Sequence, residues 1–229
     1  TNSIIQSGAL DLIGYNYNHK DYAAFHERYP GKKFIATETT SALATRGHYD
    51  MPSDSIRRWP ISWDKIFTQG NADNTVSAYD NVSAPWGSTH EETWKVMKKH
   101  PFLSGMFIWT GFDYLGEPTP YGNGSMPQFG LPAAKASRSS YFGIVDLAGF
   151  KKDRFYLYQA RWRPELPMVH ILPHWTWPDR VGEVTPVHVF TSGDEAELFV
   201  NGKSQGRLKK APYAYRLRWD FVAYEPGTI

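Results

Sequence analysis

Three short apolar runs, each followed by a helical stretch, constrain this chain more than any other feature. Leu10-Asp11-Leu12-Ile13-Gly14-Tyr15-Asn16-Tyr17 reads as a buried strand with a polar aromatic tip, and Asp21 to Tyr29 as a helix stopped by Pro30-Gly31. Phe34-Ile35-Ala36-Thr37-Glu38 is a second buried strand. Ser88 and Glu91 read as a capping box that starts a helix running to about His100. Phe102 to Trp109 is the third strand, and Arg154 to Trp162 a last helix. Strand, helix, strand, helix, strand, helix is the pattern of parallel βα units. Long insertions, Thr39 to Gly87 and Gly111 to about Ser140, follow the C-terminal ends of strands, the face where such folds build active sites.

The pattern changes after Arg163-Pro164-Glu165-Leu166-Pro167, a proline-stiffened linker. Val187, Val189 and Thr191 alternate with His188 and Phe190, and Ala196, Leu198 and Val200 with Glu197 and Phe199. Asn201-Gly202 is a hairpin signal, because both turn positions require positive φ. The expected fold is therefore α/β over residues 1–165, then an all-β immunoglobulin-like sandwich of about five strands over 166–229. Neither half is complete. A (β/α)8 barrel takes about 250 residues and eight strands, and an immunoglobulin-like domain about 100 residues and seven strands. The chain reads as an excerpt of a longer polypeptide, cut at both ends.

Composition removes several functions. The 229 residues carry 25 Lys and Arg against 23 Asp and Glu, a net charge of +2 that gives no reason to expect nucleic acid or an anionic membrane as partner. No apolar run is long enough to form a bilayer-spanning helix. The absence of cysteine excludes disulfides, thiol catalysis and cysteine-ligated zinc. Nine Trp, 14 Tyr and 13 Phe, many beside Gly, Pro, Asn and Asp, suit either a large aromatic core or exposed faces that stack on sugar rings.

Glu38 is the most informative position. A carboxylate closing a buried strand is costly unless partners hold it. It either caps the strand end through the hydroxyls of Thr37, Thr39, Thr40 and Ser41, or it is there for chemistry. Trp109 closes the third strand, with Asp113 and Glu117 following on its loop; these three could form the floor and hydroxyl contacts of a sugar site, or a core tryptophan beside an ordinary loop. Tyr17 could hydrogen-bond a neighbouring carboxylate or simply face solvent. His19, Asp21, His26 and Glu27 do not share a helix face, so no metal site is expected. No phosphate-cradling glycine loop and no Gly-x-Ser-x-Gly elbow occurs, and no cofactor is expected.

Taken together, several segments resemble glycoside hydrolase family 2, the β-galactosidases, β-glucuronidases and β-mannosidases. They are 13–17, Thr37-Glu38-Thr39-Thr40-Ser41-Ala42, Trp109 through Pro118, and Tyr141-Phe142-Gly143-Ile144-Val145-Asp146. His170-Ile171-Leu172-Pro173-His174-Trp175 and Glu197-Leu198-Phe199-Val200-Asn201-Gly202-Lys203 complete the set. The resemblance implies the last strands of a catalytic (β/α)8 barrel followed by the start of an immunoglobulin-like domain. It implies a retaining β-glycosidase acting on a carbohydrate, most similar to β-galactosidases, completed by the rest of its own polypeptide. Glu38 matches the family's nucleophile, Tyr17 the tyrosine that hydrogen-bonds it, and Trp109 the tryptophan lining the sugar subsite.

Three departures accompany the match. The family's acid/base glutamate follows an asparagine, and no Asn-Glu dipeptide occurs here. Ser41 stands where β-galactosidases carry a histidine. Arg138-Ser139-Ser140-Tyr141-Phe142 lacks the Asn-x-Lys by which β-glucuronidases hold the sugar carboxylate. A non-catalytic carbohydrate-binding protein, stacking sugars on Trp86, Trp175 and Trp177, is the alternative reading. In either case residues 168–229 would serve as a packing module.

Overall fold

The computed structural model describes residues 2–51, 55–59, 71, 75–116 and 138–229. After a single helical turn (α1, Ser3–Gln6), β1 (Leu12–Asn16), β2 (Lys33–Thr40) and β6 (Leu103–Trp109) form a parallel sheet in the order β1-β2-β6. Helix α2 (Tyr22–Arg28) links the first two strands and α3 (His90–Lys99) precedes the third. Ile13 and Phe34, neighbours in register, pack with Ile5 against Phe25, Tyr29 and Phe102, so that α2 covers one side of the sheet. β1 is less buried than an apolar run suggests: Ile13 is enclosed, while Leu12 and Gly14 face outward.

The capping box forms one residue later than the sequence suggested. Thr89 accepts from the Glu92 N–H at 3.2 Å and Glu92 accepts from the Thr89 N–H at 2.8 Å. Ser88 instead meets the Thr93 hydroxyl at 2.6 Å. Both Ser-x-x-Glu and Thr-x-x-Glu fit the pattern, and the Ser88 hydroxyl is taken by Thr93.

Residues 39–87, expected as a loop, contain a small sheet of two-residue strands: β3 (Ala42–Leu43), β5 (Val82–Ser83) and β4 (Arg57–Arg58), with β5 in the middle. Leu43, Trp59, Val76, Val82, Ala84 and Phe142 form its core, against which Trp86, Trp109 and Tyr141 pack. The segments after β2 and β6 thus share one hydrophobic centre, which gives the sheet's C-terminal edge a fixed rim.

Helix α4 (Asp153–Trp162) leads through the exposed residues 163–167 into antiparallel structure. β7 (Val169–Leu172), β8 (Val187–Thr191) and β11 (Arg216–Trp219) pair as β11-β8-β7, and β9 (Glu195–Val200) pairs with β10 (Lys203–Lys209). Asn201 and Gly202 turn the hairpin at φ 48° and 78°. The alternation expected of β8 is absent, because all five of its residues are buried. Val187 and Val189 join Leu198, Val200 and Trp219 on one face, while Phe190 on the other packs with Tyr79, Leu157 and Tyr158. α4 therefore covers the face that an isolated sheet would leave wet. The molecule is a mixed, strand-rich fold in which a parallel sheet and antiparallel sheets are locked together around α4.

Candidate functional site

The parallel register brings the three strand tips side by side. Asn16 pairs with Glu38, and Thr40 with Trp109. The Tyr17 N–H donates to the Glu38 carbonyl at 2.9 Å, and the Ser41 N–H to the Trp109 carbonyl at 3.3 Å. Tyr17, Glu38 and Trp109 therefore rise from the same edge of one sheet. Tyr17 is buried, which removes the alternative of a solvent-facing ring, while Glu38 and Trp109 are half-buried. The Trp109 ring meets Tyr114 edge-on at 5.9 Å.

The backbone at these tips is strained. Tyr17, Asn18, Thr40 and Ser41 all have positive φ (49°, 51°, 77° and 53°), a region that costs a non-glycine residue of order 1–3 kcal/mol. Tight packing holds the strain in place. A Cβ on Gly87 would lie 2.1 Å from the Thr40 carbonyl, so only glycine lets the 85–88 segment close over the end of β2. That approach lets the Ser88 N–H reach the same carbonyl at 2.7 Å.

Three of the four hydroxyls that could have capped Glu38, those of Thr39, Thr40 and Ser41, are occupied elsewhere. Thr39 donates to the Phe107 carbonyl at 2.9 Å, Thr40 meets Thr93 at 2.9 Å, and Ser41 meets the Tyr17 phenol at 2.5 Å. The Trp86 indole N–H reaches the Ser41 oxygen at 3.3 Å. The Tyr17 phenol is held well above its ordinary pKa, chiefly by burial, with the neighbouring Glu38 adding to the rise and Ser41 and Trp86 opposing it. It is a neutral proton donor at any physiological pH. Beside it lies a depression of about 900 Å3 lined by Tyr17, His19, Arg58, Trp86, Glu92 and Lys95. Arg58 clamps Glu92 through both carboxylate oxygens, at 2.9 and 3.1 Å. Chemically, the arrangement offers an accessible carboxylate, a neutral phenol beside it, and an indole at the neighbouring strand end.

Asp113 does not join this group. Its carboxylate is buried, accepts from the Gly143 N–H at 2.7 Å and pairs with Lys152 at 2.7 Å. A sugar hydroxyl would have to displace a buried ammonium to reach it, so the expectation of a substrate contact at Asp113 gives way to a structural ion pair. Burial pushes Lys152 down to about 8, with Asp113 pulling the other way. The sequence hid this pair, because 39 residues separate its members. Glu117 lies outside the described residues.

Of the three tryptophans of the binding-protein reading, Trp86 lies at the strand tips and Trp175 and Trp177 both meet Tyr224. Trp86 serves the tips, Trp175 donates to the Glu225 carbonyl at 3.0 Å, and Trp177 stacks on His174 at 4.2 Å. Among the described residues no group of three or more His, Asp or Glu could hold a metal ion, and His26 is stacked on Phe102 at 4.0 Å.

A family model described as a domain of unknown function (DUF4982) matches residues 182–229. Along its whole length the chain is 49% identical to a protein named beta-galactosidase BoGH2A from Bacteroides ovatus, of which it covers 25%. Among solved structures, a beta-glycosidase from Bacteroides vulgatus superposes with TM-score 0.74 at 31% identity, covering 95% of this chain and 28% of that one. A structure titled as a beta-glucuronidase from glycoside hydrolase family 2 matches at TM-score 0.61 and 22% identity, over 97% of this chain and 20% of that one, a likeness of fold. The chain thus spans about a quarter of the length of the curated relative and of the beta-glycosidase it matches.

Proposed function

We propose that this chain, which belongs to glycoside hydrolase family 2, carries the nucleophile half of a retaining exo-β-glycosidase. In this reading residues 1–165 are the last strands of a (β/α)8 barrel and residues 166–229 the start of an immunoglobulin-like sandwich. The single observation that carries the reading is the half-buried carboxylate of Glu38 at a strand tip beside a buried, neutral phenol.

A nucleophilic carboxylate must be ionised at working pH, and a neutral hydroxyl donor favours the charged form. One Glu38 oxygen attacks the anomeric carbon as the bond to the leaving oxygen breaks, and that oxygen takes a proton from a second carboxyl group. The same group then removes a proton from water, which displaces Glu38 and releases the sugar with its anomeric configuration retained. The indole of Trp109 lines the subsite and gives the apolar face of the pyranose a flat surface. We place the second carboxyl group outside this segment, since its Asn-Glu signature is absent from the sequence. Purified alone, residues 1–229 are accordingly expected to be inactive.

We propose a terminal β-galactoside as substrate. The 49% identical relative is named a beta-galactosidase, and the glucuronide-binding Asn-x-Lys does not occur ahead of Gly143. The test is to incubate the full polypeptide carrying this segment with a mechanism-based 2-fluorogalactoside and map the labelled peptide. A label on Glu38 is the expected result. A label elsewhere, or hydrolysis at full rate by the Glu38→Gln protein, would overturn the assignment.

A further inference from the structure

We propose that Lys152 is a positioning residue for the sugar subsite: its buried ammonium ties together the three chain segments that seat the Trp109 indole. The proposal rests on Trp109 lining that subsite and adds what holds the indole in place. An ammonium has three N–H donors and no acceptor. Lys152 is 1% exposed, so each donor needs a partner inside the protein. The group reaches the Asp113 carboxylate at 2.7 Å, the Ala44 carbonyl at 2.8 Å and the Tyr141 carbonyl at 3.3 Å.

These acceptors come from three separate segments. Ala44 directly follows β3, Asp113 lies on the stretch after β6, and Tyr141 on the stretch leading to α4. Each acceptor adjoins a residue behind Trp109. Leu43 precedes Ala44 and Phe142 follows Tyr141, and both belong to the core against which Trp109 packs. Tyr114 follows Asp113, and its ring is the one that meets the indole edge-on. One buried cation therefore anchors the backbone beside every one of these three contacts.

Backbone bonds draw the same segments together around it. The Ala44 N–H donates to the Tyr141 carbonyl at 3.1 Å, the Asp113 N–H to the Val145 carbonyl at 2.9 Å, and the Ser140 N–H to the Tyr114 carbonyl at 2.9 Å. A Cβ on Gly143 would lie 2.2 Å from the Asp113 nitrogen, so only glycine permits this approach. Lys152 itself is fixed at the start of α4, its N–H donating to the Ile144 carbonyl at 3.0 Å. Leu157 and Tyr158 pack that helix against Phe190 of β8. Enclosed as it is, Lys152 acts through its three partners and not by touching sugar.

A pyranose face gains from an indole only while the two stay closely apposed, and a misplacement of about 1 Å can cost up to about a hundredfold. The contact is made by bound substrate and transition state alike, so its loss falls on KM more than on kcat.

The experiment uses the full polypeptide and the aryl β-glycoside it hydrolyses fastest. The variants are Lys152→Met, Lys152→Met with Asp113→Asn, and Trp109→Ala, alone and combined. The paired change strands no buried carboxylate, and asparagine can still accept from the Gly143 N–H, so this protein is expected to fold even where Lys152→Met alone does not. Thermal unfolding checks each variant. Both Lys152 proteins should raise KM about tenfold while kcat falls less than about threefold. In the Trp109→Ala background the same changes should alter KM less than about twofold, whereas general loosening would act equally in both backgrounds. An unchanged KM, a loss confined to kcat, or an equal rise in both backgrounds would overturn the role of Lys152 and leave Trp109 and Glu38 in theirs. A Trp109→Ala enzyme with the wild-type KM would remove the premise and the proposal with it.

Discussion

Among the described residues, the polar cluster at the strand tips and the one where α4 meets β8 and β11 use buried polarity in opposite ways. At the junction Asp80 is fully enclosed, with Arg154 at 3.7 Å, Arg216 at 3.5 Å and the His90 N–H at 3.2 Å. Arg216 also grips Glu91 at 2.7 Å, Arg154 donates to the Ala42 carbonyl at 2.7 Å, and His90 meets Tyr158 at 2.5 Å. The charges pair with one another or with carbonyls, although Asp80 Oδ1, His90 Nε2 and Arg154 Nη2 are buried without a hydrogen bond, and the cluster ties residues of the β2–α3 connection to the C-terminal strands. At the tips the Trp86 indole, the Ser41 hydroxyl and the Tyr17 phenol hydrogen-bond in turn beside a half-buried carboxylate, Glu38. Burial alone therefore does not mark a working site. What distinguishes the tips is a half-buried carboxylate beside a buried, neutral phenol.

The largest expected effects separate the clusters by what is lost. In the full polypeptide Glu38→Gln should reduce kcat by several orders of magnitude with the unfolding midpoint unchanged. Asp80→Ala should do the reverse. Removing the carboxylate strands two buried guanidinium groups, a change that typically costs about 3–5 kcal/mol, while kcat per folded molecule stays at the wild-type value. Equilibrium unfolding and active-site titration measure the two quantities independently. An Asp80→Ala protein with normal stability and a lowered kcat would erase the distinction.

A smaller loss is expected at Asp113, which lies between the two cases. Asp113→Ala leaves Lys152 without its carboxylate, but the ammonium keeps the Ala44 and Tyr141 carbonyls at 2.8 and 3.3 Å. With its pKa already near 8 in the presence of Asp113, Lys152 can shed its proton near neutrality once the carboxylate is gone. A cost of about 2 kcal/mol follows, below that of Asp80, because the orphaned group can discharge itself. Chemical denaturation at pH 7 and pH 9 checks it, the loss being smaller at the higher pH.

The same contrast explains what could be read from the sequence. β1, β2 and β6 were legible because each is an apolar run closed by chemistry-bearing residues, and the Asn201-Gly202 turn because both positions need positive φ. β8 was legible as a strand but not as a two-sided one, since nothing in Val187 to Thr191 announces that α4 covers its second face. Tyr17 and Glu38 could be singled out by their place at strand tips. Ser41 was visible only as a departure from a family pattern, because its partner Tyr17 is 24 residues away and Trp86 is 45. Asp80 gave no signal at all: its partners Arg154 and Arg216 come from distant segments. Long-range pairing of polar groups has no period for a sequence to display.

The smallest effect concerns acid. His90 and His188 are held neutral, well below their ordinary pKa, first by burial and then by the arginines of the junction. The unfolded chain protonates both as pH falls below 6.5 and the folded chain does not, so each costs about 1.4 kcal/mol of stability per pH unit there. Asp80 works the other way. Burial, resisted by Arg154 and Arg216, raises it to about 6, so the folded state takes up a proton between about pH 6 and pH 4 that the unfolded state does not. Among these three groups, that offsets one of the two histidines. His188→Gln, which cannot protonate, should therefore flatten the decline in stability between pH 6 and pH 5 by about 1.4 kcal/mol relative to wild type. Parallel pH profiles for the two proteins would show that His188 is not kept neutral in the folded state. The junction would then be no more closed to protons than the strand tips.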